Sequence, residues 1–244
     1  MSTNKSTWKK LTSMRLFMPL VCLLAIIIVA TITIPGFLSM SLKNGVPYGY
    51  PVDVINRASE LVILSVGMTL VTAASGGQDI SVGAVMAVAG AVCCQILSGG
   101  EVSVNSLSAP IIVAFLAALV ASGICGAFNG LLVSYLNVQP MVATLILFSA
   151  ARAIGLLLCN NMIVYVREDS FKIFGGYLGF IPTPIVVAAV CIITTSLILK
   201  KTALGLYAQS VGINKKASRI AGIKSERIIF LCYIVCGLCA GIAG

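Results

Sequence analysis

Long apolar runs punctuate the chain, and most polar and charged positions gather between them. A helix needs about 20 apolar residues to cross a hydrocarbon core, and these runs have that scale. The first covers residues 16–34, behind a basic segment holding Lys5, Lys9, Lys10 and Arg15. A secretory signal has an apolar stretch of only about 7–15 residues and a small-residue cleavage site. This run is longer and lacks such a site, which predicts an uncleaved span. Runs at 61–78 and 80–100 follow, with Asp79 alone between them. The fourth and longest covers 110–135. The fifth covers 140–159 and carries one charge, Arg152. The sixth covers 177–199 and is interrupted near its start by Pro182 and Pro184. A seventh covers 228–244, at the lower edge of a spanning length. The pattern predicts an all-α polytopic bundle of six spans plus an incomplete seventh. It divides into a cytoplasmic segment 1–15 and a partial transmembrane domain 16–244.

Composition strengthens that reading. Of 244 residues, 59% are hydrophobic and 9% charged, with mean hydropathy +1.08. A soluble domain carries about 25% charged residues, so this chain has too few to cover a water-facing surface. The net charge is +9, from 16 basic and 7 acidic residues. Its distribution speaks to orientation rather than to nucleic acid, because no aromatic side chains interleave with the basic ones. Eleven of the 16 basic residues lie in the N-terminal segment and the 200–227 loop. An even number of crossings puts these two segments on one side. The other side holds Lys43, Arg57, Arg167 and Lys172. The positive-inside rule then makes the N-terminus and the 200–227 loop cytoplasmic.

There is no histidine, which removes the commonest general base and metal ligand. The nine cysteines sit in or at the ends of apolar runs, without a CxxC pair, and read as packing residues. GxxxxGK[ST], HExxH and GxSxG are absent, so no nucleotide, metal or catalytic site is expected. No cofactor is expected either, and the chain reads as a non-enzyme.

Four features stand out within the spans. In Ser75-Gly76-Gly77-Gln78-Asp79-Ile80-Ser81-Val82-Gly83 two glycines end one helix. Asp79 or Ser81 can then cap the next. This is either a tight hairpin or a broken-helix element beside a translocation path. Arg152, a charge within an apolar run, is expected to face the bundle interior. There it would partner a backbone carbonyl or Asp79, or line a path or its gate. Gly126 and Gly130 form a GxxxG pattern around Asn129, which could bond across a helix interface. Gly237 and Gly241 repeat the pattern and want a partner helix. Finally, the 200–227 loop contains a short helix, with Asn214 as N-cap and Gly222 as its stop. Ala217, Ile220 and Ala221 share one face, and Lys215, Lys216 and Arg219 occupy the rest. Such a surface suits a groove on a partner protein or, more simply, anchors topology.

These residues resemble a known family, the permeases of bacterial ABC sugar importers of the ribose, xylose, arabinose and galactofuranose type. The 75–83 stretch is similar to that family's Thr-Gly-Gly-Ile-Asp-Leu-Ser-Val-Gly signature. Asn129-Gly130-Leu131-Leu132-Val133, Gln139-Pro140-Met141-Val142-Ala143-Thr144-Leu145 and Ser149-Ala150-Ala151-Arg152 follow in order, as do the loop 207–223 and the helix start at 237–244. Residues 44–60 look most like the galactofuranose-type permeases. Gln78, Ala153 and Ile213 depart from the pattern, and Ile213 would stiffen or shift the loop.

The resemblance implies a monosaccharide importer. Its partners would be a second permease subunit, a cytoplasmic ABC ATPase, a periplasmic or lipid-anchored sugar-binding protein and membrane lipid, in a bacterial inner membrane. It implies an ATPase-coupling loop at Gly212, Asn214, Lys215, Lys216, Ala217, Arg219, Ala221 and Gly222. Path or gate residues would be Gly76, Gly77, Gln78, Asp79, Asn129 and Arg152. It also implies further spans beyond Gly244. Two alternatives stand beside it: a nonfunctional truncated paralogue, and an ion-coupled transporter relying on Asp79.

Overall fold

The computed structural model describes residues 17–43 and 46–244. The expected cytoplasmic segment 1–15, Leu16, Asn44 and Gly45 lie outside the described residues. The chain divides into two compact units, one ending at Ile55 and one running from Asn56 to Gly244.

In the first unit, α1 (Phe17–Thr33) has no charged residue in its terminal turns. Thr31 and Thr33 donate to the carbonyls of Ile27 and Val29 at 2.8 and 2.7 Å, which satisfies both hydroxyls within the helix. An antiparallel hairpin follows, β1 (Ser41–Lys43) with β2 (Val46–Tyr48), in register Ser41 opposite Tyr48. The Phe37 ring stacks on Tyr50, 5.9 Å between centroids. Tyr50 opens α2 (Tyr50–Ser75).

The second unit holds the rest of α2, then α3 (Val82–Ser98), β3 (Ser103–Val104), α4 (Ile111–Ser134) and α5 (Pro140–Leu158). It continues with β4 (Tyr165–Val166), the short α6 (Asp169–Gly175), β5 (Tyr177–Leu178) and β6 (Ile181–Pro182). The last elements are α7 (Thr183–Lys201), α8 (Ala203–Ile213), α9 (Lys215–Ile220) and α10 (Ser225–Ala243). Helices α2, α4, α5, α7 and α10 are long and apolar enough to cross a membrane, while α1, α3 and α8 are shorter apolar helices. The all-α polytopic architecture is as expected. Two details differ. Helix α2 begins at Tyr50, so its first turns include Asp53, Arg57 and Glu60, which ended the apolar run. And the 200–227 segment carries α8 as well as the expected short helix.

The core is built on small residues. Helix α4 packs along α10, and both GxxxG patterns lie in that one contact. A Cβ on Gly126 would fall 2.5 Å from the Tyr233 carbonyl oxygen. One on Gly237 would fall 2.5 Å from the Ser122 carbonyl oxygen, and one on Gly241 would fall 2.1 Å from Ser122 Oγ. Each pattern is therefore the other's partner. In a bilayer, close van der Waals packing of this kind drives helix association. Helix α3 sits among α4, α5 and α10.

The loops sort to two ends. At one, Gly77 of the 76–81 turn lies against Pro140 at the start of α5, and Gly212 near the end of α8 lies against Ala73 in the last turn of α2. At the other, β3 and β4 pair in parallel, Ser103 with Tyr165 and Val104 with Val166, joining the α3–α4 and α5–α6 loops. The 76–81 turn and the α8–α9 segment thus share an end.

Candidate functional site

Helix α2 ends where Ser75 turns its hydroxyl onto the Val71 carbonyl (2.8 Å) and accepts the Gly77 N–H (3.2 Å). Gly76 follows with φ +69°, a left-handed conformation that suits glycine. The chain then crosses to α3 through Gln78, Asp79, Ile80 and Ser81. Gln78 is exposed, whereas Asp79 and Ser81 are buried.

The expected cap on α3 is not made, because neither side chain reaches a free N–H of its first turn. The Asp79 carboxylate instead takes two donors from the N-cap residue itself. Asp79 Oδ1 accepts the Ser81 N–H at 2.9 Å and the Ser81 hydroxyl at 2.6 Å. Ser81 Oγ in turn accepts from Asn129 Nδ2 at 2.8 Å. Asn129, between Gly126 and Gly130, thus bonds to the start of α3 and not across the α4–α10 contact that those glycines make. Its Oδ1 is buried and has no hydrogen-bond partner among the described residues. Tyr233 and Cys236 of α10 stand beside the Asp79 carboxyl. Thr144 completes the site: its hydroxyl donates to the Pro140 carbonyl (2.9 Å) and accepts the Ile80 N–H (3.2 Å). Interrupted helix backbone in apolar surroundings needs such partners. This cluster supplies them from α4, α5 and the break itself.

Arg152 is not part of it. Among the described residues its side chain is exposed on α5, with the guanidinium 6.0 Å from the Phe148 ring. Nothing in the structure brings it to Asp79, whose carboxylate is engaged by Ser81. A long side chain over an aromatic face keeps its charge at the surface.

The coupling-loop residues lie together at the same end as the break. Asn214 caps α9 as expected, accepting the Ala217 N–H at 3.0 Å, and Gly222 closes it with φ +84°. Ala217, Ile220 and Ala221 are exposed, Ile220 at 90%, and so are Lys216 and Arg219. Ser218 is the residue turned inward. Arg219 pairs with Glu226 at the start of α10, and Lys215 Nζ lies 3.4 Å from Asn137 Oδ1 in the α4–α5 turn. Gly212 belongs to α8 and faces α2.

Sequence reasoning missed Thr144 and Tyr233 as members of the cluster. A hydroxyl one turn into α5 was the available signal for the first, and none marked the second.

The chain matches known proteins over most of its length. The family of the branched-chain amino acid transport system permease component matches residues 50–244. The galactofuranose transporter permease protein YtfT of Escherichia coli is 42% identical over 226 residues, 92% of this chain and 64% of that protein. The fructose import permease protein FruF of Bifidobacterium longum is 35% identical, over 97% of this chain and 66% of its own length. The ribose import permease protein RbsC of Escherichia coli is 32% identical, over 92% and 66%. The chain spans just under two thirds of the length of these relatives. No solved structure matches it. The family match takes in the broken helix, the α4–α10 contact and the α8–α9 segment alike, and the chain belongs to the family of branched-chain amino acid transport system permease components.

Proposed function

We propose that this chain supplies membrane spans of the permease subunit of an ATP-driven importer for a monosaccharide. The observation that carries the proposal is α9. It is a capped helix whose small apolar face and basic flank are exposed, at the end of the bundle that holds the helix break. The relatives named for galactofuranose, fructose and ribose support a sugar as the cargo. In this reading the chain hydrolyses nothing. A cytoplasmic ABC ATPase docks on α9, a second permease subunit completes the path, and a binding protein delivers the sugar from the opposite side. The membrane is a bacterial inner membrane, with the N-terminus and α9 in the cytoplasm. That orientation gives Lys200, Lys201, Lys215, Lys216, Arg219, Lys224 and Arg227 the side that favours basic residues.

Transport is then a two-state equilibrium that ATP binding and hydrolysis bias through α9. Ala217 sets how closely a partner surface approaches. Ala217→Trp should leave ATP hydrolysis in the assembled complex while uptake falls roughly tenfold to hundredfold, the equivalent of about 1–3 kcal/mol of overpacking. Uptake of radiolabelled sugar, set against phosphate release by the same preparation, checks this. Import at the parent rate in the variant, or uptake that persists without the ATPase, would sink the proposal.

A further inference from the structure

We infer that Gly212 is a positioning residue through which the α8–α9 segment moves the helix break, with Gly76 as the hinge. The inference rests on the reading of α9 as the ATPase contact. A Cβ on Gly212 would lie 1.8 Å from the Ala73 carbonyl oxygen and 2.9 Å from its carbon. Helix α8 therefore meets the last turn of α2 backbone to backbone. No rotamer can absorb a displacement at such a contact, so the turn follows the helix.

Three residues after Ala73 comes Gly76, with φ +69° and nothing within 4 Å of where its Cβ would be. The chain can rotate there without collision. Beyond it, the contacts are tight again. A Cβ on Gly77 would fall 2.4 Å from Pro140 Cβ, and the Ile80 N–H is bonded to Thr144. The last turn of α2 is thus gripped by α8 on one side and followed by a free hinge and an anchored turn. A crevice of about 280 Å³ opens where these parts meet, lined by Ala74, Ser75, Asn137, Gln139, Gly212 and Lys215 among others. It is the room into which the turn can move. Lys215 and Asn137, both in its lining, are in contact with each other.

The test uses the protein assembled with its ATPase in lipid nanodiscs. Ile80→Cys, an exposed position in the break, is the reporter. Its maleimide labelling is resolved from the nine native cysteines by peptide mass spectrometry. Labelling should change with ATP in the otherwise unaltered protein. In Gly212→Ala the change per ATP hydrolysed should fall roughly tenfold. Gly83→Ala, where a Cβ meets nothing within 4 Å, should retain it. A Gly212→Ala protein that keeps the full change overturns the relay. Should Gly212→Ala fail to assemble, cross-linking Lys215→Cys to Asn137→Cys decides. Oxidation should freeze the reporter and reduction should release it, whereas a reporter that still responds in the oxidised protein rejects the relay. If the ATPase does not co-purify and ATP leaves the reporter unchanged, the docking reading falls and takes the relay with it. If ATP-driven uptake persists while Gly212→Ala switches normally, the relay alone falls.

Discussion

Replacing Gly237 with leucine is expected to destabilise the bundle by about 3 kcal/mol or more, near the upper end of what overpacking costs. The new Cβ would stand 2.5 Å from the Ser122 carbonyl oxygen and 2.9 Å from the Gly126 Cα. Both are backbone atoms of α4, so no side chain can swing aside. The helices would have to part along the contact that also holds Gly126 against Tyr233 and Gly241 against Ser122. Lipid returns little for that loss, since helix association in a bilayer rests on packing and hydrogen bonds rather than on apolar burial. Gly123→Ala offers the comparison. Its Cβ would meet only the flexible Leu238 Cδ2, at 3.4 Å, and the change should cost less than about 1 kcal/mol. Denaturation in mixed micelles, followed by helix signal, measures both. A Gly237→Leu chain as stable as Gly123→Ala would show that the α4–α10 contact is not what holds the bundle.

Asp79→Ala is the second large expectation. The methyl group removes the acceptor of the Ser81 N–H and hydroxyl, and leaves the Ser81–Asn129 bond without its anchor. Each buried donor left unsatisfied costs about 1–3 kcal/mol, so the variant should lose about 2–4 kcal/mol in all. Asp79→Asn keeps an oxygen at the Oδ1 position and should lose less than half as much. Gln78→Leu, at the exposed neighbouring residue, should stay within about 0.5 kcal/mol of the parent. The same denaturation assay ranks the three. Equal losses for Asp79→Ala and Asp79→Asn would mean that charge, and not the acceptor geometry at Ser81, accounts for the residue.

The rank order of these effects was only partly legible in the sequence, and the reasons are specific. The spans showed because apolar runs report burial in lipid directly. The runs at 110–135 and 140–159 fell within one residue of the starts of α4 and α5, Ile111 and Pro140. The first turns of α2 did not show. Asp53, Arg57 and Glu60 interrupt the apolar run although they continue the helix. Helix α8 was hidden by its flanks, Lys200 and Lys201 before it and Lys215 and Lys216 after it, which read as a loop. The small buried face of Gly205, Ala208 and Val211, at i, i+3 spacing, was the signal that went unused. Each GxxxG pattern was visible, but their mutual pairing was not, because a pattern states a need for close approach without naming the partner. Asp79, Ser81 and Asn129 present the same limit. A polar group in an apolar stretch must be paired, yet the bond from Asn129 to Ser81 spans 48 positions and only the fold selects it. Arg152 showed as a charge in an apolar run, but its nearest ring, Phe148 one turn before it on the same helix, was not singled out.

The two-residue parallel pairing of β3 with β4 bears on how the protein is made. Val104 pairs with Val166, and everything between them must be synthesised first. At about 5–20 residues per second, that wait is roughly 3–12 s. During it, α4 and α5 are still being made, and the loop that follows α3 stays unclasped. The clasp closes only when α5 has crossed and delivered its strand. Synthesis thus lets this end of the bundle close only once α5 has been made, while α7 to α10 are still to come.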